Sequence, residues 1–150
     1  METINTIDWF KARRRFLSND HKIRVEYNGI IYNNSESAYQ AQKHPETRLD
    51  FVNLKPAEAY KLGRSVSLRA DWDDVRENIM YEVVRAKFEQ NSKIRRMLIG
   101  TGDKKLLNTN GYHDNFWGNC CCSACKNIDG LNRLGIILMN LREEFRNQQS

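Results

Sequence analysis

The segment that most constrains the fold follows Asp71. Trp72, Val75, Ile79, Val83 and Ala86 recur every three or four residues, the spacing that gathers apolar side chains on one face of an α-helix. Asp71 stands where an N-cap belongs, and Asp73 and Asp74 in the first turn oppose the positive end of the helix dipole. Such a stripe has to be covered, so the rest of the chain must supply partners for it.

The partners read as short. Residues 22–27 alternate apolar and polar, Asn28-Gly29 follows, and Ile30-Ile31-Tyr32 resumes the pattern. This predicts a β-hairpin with a type I′ turn, because Asn-Gly supplies the positive φ values that turn demands. Ser35 is expected to cap a helix over 36–44, closed by Pro45. A second helical stretch covers 46–54, and a third starts at Pro56 and stops at Gly63. Ser92 introduces a helix over 93–99. A last helix over 132–146 carries Leu134, Ile137, Leu138, Leu141 and Phe145. Between these two lies a long irregular stretch, 101–130, whose Tyr112, Phe116 and Trp117 argue against disorder and for function. The expected fold is mainly α, with one small N-terminal β-hairpin. At 150 residues the chain is expected to form a single domain, 1–150.

No apolar run approaches the roughly eighteen residues that cross a bilayer, and residues 1–10 lack the order of a signal peptide. A cytoplasmic protein with no membrane partner is expected. The net charge of +5 favours an anionic partner about as much as it serves solubility. All four cysteines, Cys120, Cys121, Cys122 and Cys125, are crowded together, whereas a disulfide framework would spread them along the chain. Cys120, Cys122 and Cys125 have C-x-C-x-x-C spacing, and with His113 ahead of them a four-ligand zinc knuckle can be drawn. Free structural thiols stand ahead of it, and no metal or cofactor is assigned.

Four groups can carry chemistry. Glu36 and Lys43 are seven residues apart on one expected helix, about 20° from each other on the wheel. With Tyr39 and Gln40 they form a polar strip, for which a solvated face is the plain alternative. Lys87 lies on or near the edge of the apolar stripe. Its ammonium either reaches water or is held against a pocket wall, where desolvation would make it nucleophilic. Asp114, Phe116, Trp117 and Gly118 place a carboxylate beside flat apolar surface, which suits a base or ribose, or plugs the core. The signatures G-x-G-x-x-G, G-x-x-x-x-G-K-[ST] and H-E-x-x-H are absent, as is the H-x-E with P-C-x-x-C of zinc deaminases.

In order along the chain, Phe16-Leu17-Ser18-Asn19, Ser35-Glu36-Ser37-Ala38-Tyr39-Gln40-Ala41-Gln42-Lys43, Gly63-Arg64, Asp71-Trp72, Lys87-Phe88, Phe116-Trp117-Gly118 and Leu131-Asn132-Arg133-Leu134-Gly135 resemble the NADAR family, also called YbiA-like. The resemblance implies a compact, mostly helical fold and N-glycosidase activity. The implied substrates are riboflavin-pathway intermediates carrying ribose 5-phosphate, or ADP-ribose on guanine bases of DNA or RNA. Both present a bond from ribose C1′ to nitrogen. Position by position, the resemblance puts the acidic residue of the S-E motif on Glu36, the D-W tryptophan on Trp72 and the aspartate ahead of W-G on Asp114. The lysine nucleophile falls on Lys43 first and Lys87 second. Asn19, Tyr39, Gln40, Arg64, Trp117, Gly118 and Asn132 are expected to line the substrate site. The sequence departs from the family pattern at Cys120-Cys121-Cys122-Ser123-Ala124-Cys125, where a glycine-rich segment is frequent, and at Asp20, where S-N-F is frequent. Two other classes stand beside the enzyme: a non-catalytic ADP-ribose or NAD-binding module, and a zinc-stabilised nucleic-acid-binding module.

Overall fold

The computed structural model describes residues 2–149. Along the chain run β1 (Thr6–Asp8), β2 (Val25–Tyr27), β3 (Ile30–Tyr32), α1 (Ser35–Ala41), α2 (Pro56–Gly63), α3 (Trp72–Glu89), α4 (Ser92–Gly100), β4 (Lys105–Leu107), β5 (Thr109–Asn110), β6 (Asn119–Cys120) and α5 (Arg133–Gln148). Short 3-10 turns lie at Ala12–Leu17, Pro45–Phe51 and Ser123–Cys125. The fold is mainly α, as its sequence patterning requires. The described residues form two compact units, Asn19–Ser92 and, from the two ends of the chain, residues 2–18 with 93–149.

In the middle unit the hairpin β2–β3 pairs Val25 with Tyr32 and Tyr27 with Ile30. Asn28 and Gly29 adopt φ values of 50° and 79°, the left-handed pair that the type I′ turn needs. α1 and strand β2 of the hairpin pack against α3, and α2 packs against α1. Gln90, at the end of α3, accepts from the backbone N–H of Glu26 and donates to its carbonyl, so one amide extends the hairpin edge. The buried face of α3 consists of Trp72, Ile79, Met80, Val83, Val84, Lys87 and Phe88. Val75 and Ala86 of the expected stripe are only half-buried. The stripe is therefore rotated, and Lys87 lies within the core face instead of at its edge. Each fully buried aliphatic side chain on such a face contributes roughly 1.5–3 kcal/mol.

Two expected caps are corrected. Asn34, not Ser35, caps α1: its side chain accepts from the Ser37 N–H at 2.7 Å. Asp71 makes no side-chain cap to α3, because Arg69 holds its carboxylate with two hydrogen bonds. α1 also ends at Ala41, short of the expected 44, so Lys43 lies just beyond it. The 3-10 turn beginning at Pro45 replaces the expected helix over 46–54.

In the unit built from the chain ends, β1 and β4 pair in parallel, with Ile7 beside Leu106, both fully buried. β5 and β6 form a second parallel ladder. Both ladders lie outside the sequence expectation of one hairpin. α5 buries Leu134, Leu138, Leu141 and Phe145. Arg13 and Arg14 both pair with Glu2. Among the described residues, no helix is long and apolar enough to cross a membrane.

Candidate active site

In the middle unit the polar strip begins on α1. The Asn34 cap and the Ser37 hydroxyl both donate to the Leu54 carbonyl, which fixes the start of the helix. Glu36 then projects from the first turn, and Gln40, one turn on, donates to its Oε1 at 2.9 Å. The Glu36 N–H donates to the carbonyl of Asn19, and the Asn19 amide reaches Met80 Sδ on α3 at 3.4 Å. Asn19 thus ties the strip to α3. Three buried acceptors around this strip, Asn19 Oδ1, Ser35 Oγ and Gln40 Oε1, have no hydrogen-bond partner. Buried polar atoms normally find partners, so burying these three oxygens carries a cost.

Gly63, the last residue of α2, abuts this array: a Cβ there would overlap Gln40 Oε1 and press on Cδ and Cβ of the same side chain. Gln40 is buried and has little room to yield. Gly63→Ala is expected to cost about 1–3 kcal/mol, read as a lowered midpoint in urea, and to lower activity by releasing Glu36 from Gln40. A variant with unchanged stability and activity would remove Gly63 from the site.

Lys43 is half-buried past the end of α1, its Nζ 6.0 Å from the centre of the Trp72 ring. Burial lowers its proton affinity below the ordinary lysine range; Glu36 opposes this, and the cations Arg64 and Arg76 reinforce it. Trp72 is buried and packs against Tyr39 with ring centres 5.2 Å apart. Arg64 directly follows α2, its guanidinium 5.8 Å from the Tyr60 ring. The structure thus brings Glu36, Tyr39, Gln40, Lys43, Arg64 and Trp72 into one neighbourhood. It adds Arg76, which the sequence reading missed although it lies one helical turn after Trp72.

Lys87 is 1 % exposed, so its ammonium does not reach water as a surface lysine's would. Burial brings its pKa down to about 7, against the opposing charge of Asp20. Asp20, next to Asn19, is a second residue the sequence reading did not single out for chemistry. A shallow depression of about 490 Å³ in this unit is lined by Lys22, Arg24, Tyr32, Asn33 and their neighbours. It contains none of the strip's titratable residues, and the strip remains the candidate.

In the other unit, Asp114 Oδ1 accepts from the N–H groups of Phe116 and Trp117 at 3.1 and 2.9 Å, and so shapes its own loop. Phe116 and Trp117 meet edge to face at 4.8 Å. The carbonyls of Phe116, Trp117 and Gly118 accept from Arg133, Leu134 and Asn132, satisfying N–H groups at the start of α5 that have no partner within the helix. Asn132, at φ 49°, accepts from the Asn108 N–H and donates to the Leu106 carbonyl. Its side chain is a backbone clamp. Gly118 is required by close approach, since a Cβ there would overlap the Asn108 carbonyl. Asn110 adds a further clamp, accepting from Tyr112 and Asp114 and donating to the Asp114 carbonyl. The W-G block and the L-N-R-L-G block are thus joined by hydrogen bonds into one piece of structure.

Compared with known proteins, residues 6–146 match the model of the NADAR domain family. The chain is 44% identical over 120 residues to an N-glycosidase of Nostoc punctiforme, covering 75% of this chain and 73% of that protein. It is 34% identical over 126 residues to N-glycosidase YbiA of Escherichia coli, covering 81% and 75%. A riboflavin biosynthesis protein of Vibrio vulnificus is 36% identical over 136 residues, 87% of this chain but only 35% of that protein's length. The solution structure of Escherichia coli YbiA superposes with a TM-score of 0.83 at 29% identity, over 99% of this chain and 89% of that one.

Proposed function

The chain belongs to the NADAR domain family, which makes it an enzyme of the N-glycosidase class, and on that premise we propose that it hydrolyses the bond from ribose C1′ to a base nitrogen in a phosphorylated ribosyl or ADP-ribosyl compound. The observation that carries this reading is the polar strip of the middle unit. There a carboxylate, Glu36, acts on an amine, Lys43, whose proton affinity burial and two arginines depress. Reading residues 1–150 as one domain is supported by the family match, which runs through both units without a break.

In the proposed reaction, neutral Lys43 attacks C1′, forming a C1′–Nζ bond as the C1′–base bond breaks. The Glu36 carboxylate takes the proton that Nζ sheds and passes it to the departing nitrogen. The ribosyl-lysine opens to an imine, and water hydrolyses it, returning the free amine and releasing the sugar. Arg64 and Arg76 supply positive charge for phosphate, and Trp72 supplies an apolar wall. Asp114 is retained as a second candidate acid, and Trp117 as a second aromatic wall, on the strength of the motif that carries them. The likeness to a riboflavin biosynthesis protein supports an intermediate of that pathway as one substrate. The ADP-ribosyl substrate, with guanine as its base, is supported by the family resemblance alone.

Incubating the protein with a ribosylamine 5-phosphate intermediate, with ADP-ribosylated guanosine and with ADP-ribosylated DNA or RNA, and measuring the base released, tests the reading. Release from one of them is expected with many turnovers per chain, and Glu36→Gln should slow it by roughly 10²–10⁴-fold. Binding of these compounds without release of base would leave a recognition module in place of an enzyme.

A further inference from the structure

The four cysteines and His113 take no part in the reaction proposed above. The Nδ1 or Nε2 of His113 and the sulfurs of Cys120, Cys122 and Cys125 all lie within 4.8 Å of one another. We propose that these four residues form a closed, structural zinc site that pins the loop between β5 and α5. On spacing alone, free thiols stood ahead of metal; the three-dimensional arrangement reverses that order.

The first reason is distance. A tetrahedral zinc ion with bonds of about 2.3 Å to sulfur and about 2.0 Å to nitrogen has edges of about 3.8 Å between sulfurs and about 3.5 Å from sulfur to nitrogen. His113 Nδ1 lies 3.3 Å from Cys122 Sγ and 3.4 Å from Cys125 Sγ. Two edges are thus close to the required length, and small side-chain rotations would bring in the rest.

The second reason is the surrounding shell. Cys120 Sγ accepts from the backbone N–H groups of His113 and Cys122 at 3.3 and 3.5 Å. Cys125 Sγ accepts from the Asn115 amide at 3.5 Å, while Asn115 Oδ1 accepts from the Cys120 N–H. Donors aimed at sulfur stabilise thiolate charge and orient the ligands, as the outer shell of a thiolate-bound metal must.

The third reason is the donor set. A disulfide would use the sulfurs two at a time and leave the imidazole without a purpose. Three thiolates and one imidazole match zinc in softness and number. With all four positions filled by protein, the site has no opening for substrate water, so it is structural. Cys121 is exposed and stands outside the cluster.

The full chain, expressed with zinc and purified under reductant, is expected to carry about one zinc ion per molecule by mass spectrometry of metals. Cys122→Ser and His113→Ala should lower that content, whereas Cys121→Ser should not. If a variant fails to fold, the wild-type chain still decides: cobalt loaded in place of zinc should give the visible bands of a tetrahedral site, with thiolate charge transfer in the near ultraviolet. A chelator should lower the Tm of the zinc form. Reduced wild-type protein that holds no stoichiometric metal and gives no such bands overturns the proposal. Equal zinc in all variants overturns it as well. Because metal content is read directly, neither result depends on the glycosidase assay.

Discussion

Lys43→Ala is expected to lower turnover by about 10⁴-fold or more, a loss of the size seen when a nucleophile is removed. Borohydride added during turnover should leave a reduced substrate adduct on the wild-type chain, located by peptide mass at Lys43 and missing from the variant. The ascending limb of the pH profile carries a second signature. Lys43 must be neutral to attack, and burial with Arg64 and Arg76 lowers its proton affinity while Glu36 raises it. Arg64→Gln should therefore move the limb to higher pH, and Glu36→Gln should move it to lower pH in whatever activity is left. If Lys43→Arg merely weakens turnover while Glu36→Gln abolishes it, the amine is not the nucleophile. A carboxylate then activates water directly. An adduct that persists in Lys43→Ala and maps to Lys87 would transfer the role to that residue.

Lys87→Met is expected to stabilise the protein and to impair it. The native pKa of Lys87 is about 7 against an ordinary 10.5, so the folded state binds its proton far more weakly than the unfolded chain does. Above about pH 10.5 both states are neutral and burial costs nothing through ionisation. As pH falls toward 7 the unfolded chain takes up the proton while the native state does not, and stability is lost across that interval. Below pH 7 both states are charged and the penalty is constant. At about 1.4 kcal/mol for each decade of displaced affinity, the cost at neutral pH is a few kcal/mol. A methionine of similar length removes it. The variant's Tm at neutral pH should rise by roughly 5–10 °C, and its stability should no longer decline from pH 10.5 to 7. Turnover should fall, because a buried amine held at such a cost belongs to function more often than to packing. A variant that keeps the wild-type slope of stability with pH would show that the amine is not held neutral by burial.

Much of this architecture is legible in local sequence. The periodicity from Trp72 onward, the Asn28-Gly29 turn and the boundaries Pro56 and Gly63 each depend on residues within a few positions of one another. β1 is a different case. Three residues, Thr6 to Asp8, carry no periodic signal, and their partner lies almost a hundred residues away at Lys105 to Leu107. A parallel pair of such short strands is decided by what else is buried around it. The sequence alone does not distinguish the cap of α1, because Asn34 and Ser35 are both good capping residues, and only the backbone geometry at Asn34 separates them.

The candidate site divides in the same way. Motif order alone put Glu36, Lys43, Trp72 and Asp114 together as chemistry, but it could not say what each side chain touches. Asn132 and Gly118 have the composition of a pocket lining, yet the structure uses the one to clamp backbone and the other to admit a neighbouring carbonyl. Arg76 and Asp20, which set the charge around the two lysines, belong to no block that the sequence reading quoted.

The order of residue types along the chain determined the helices, the hairpin and the family, because each is written in short-range spacing. Which lysine loses its proton, and whether one imidazole meets three sulfurs, was decided only by tertiary structure. Proton affinity and metal geometry depend on the burial and charges that distant segments bring to a residue, and no local pattern records those neighbours.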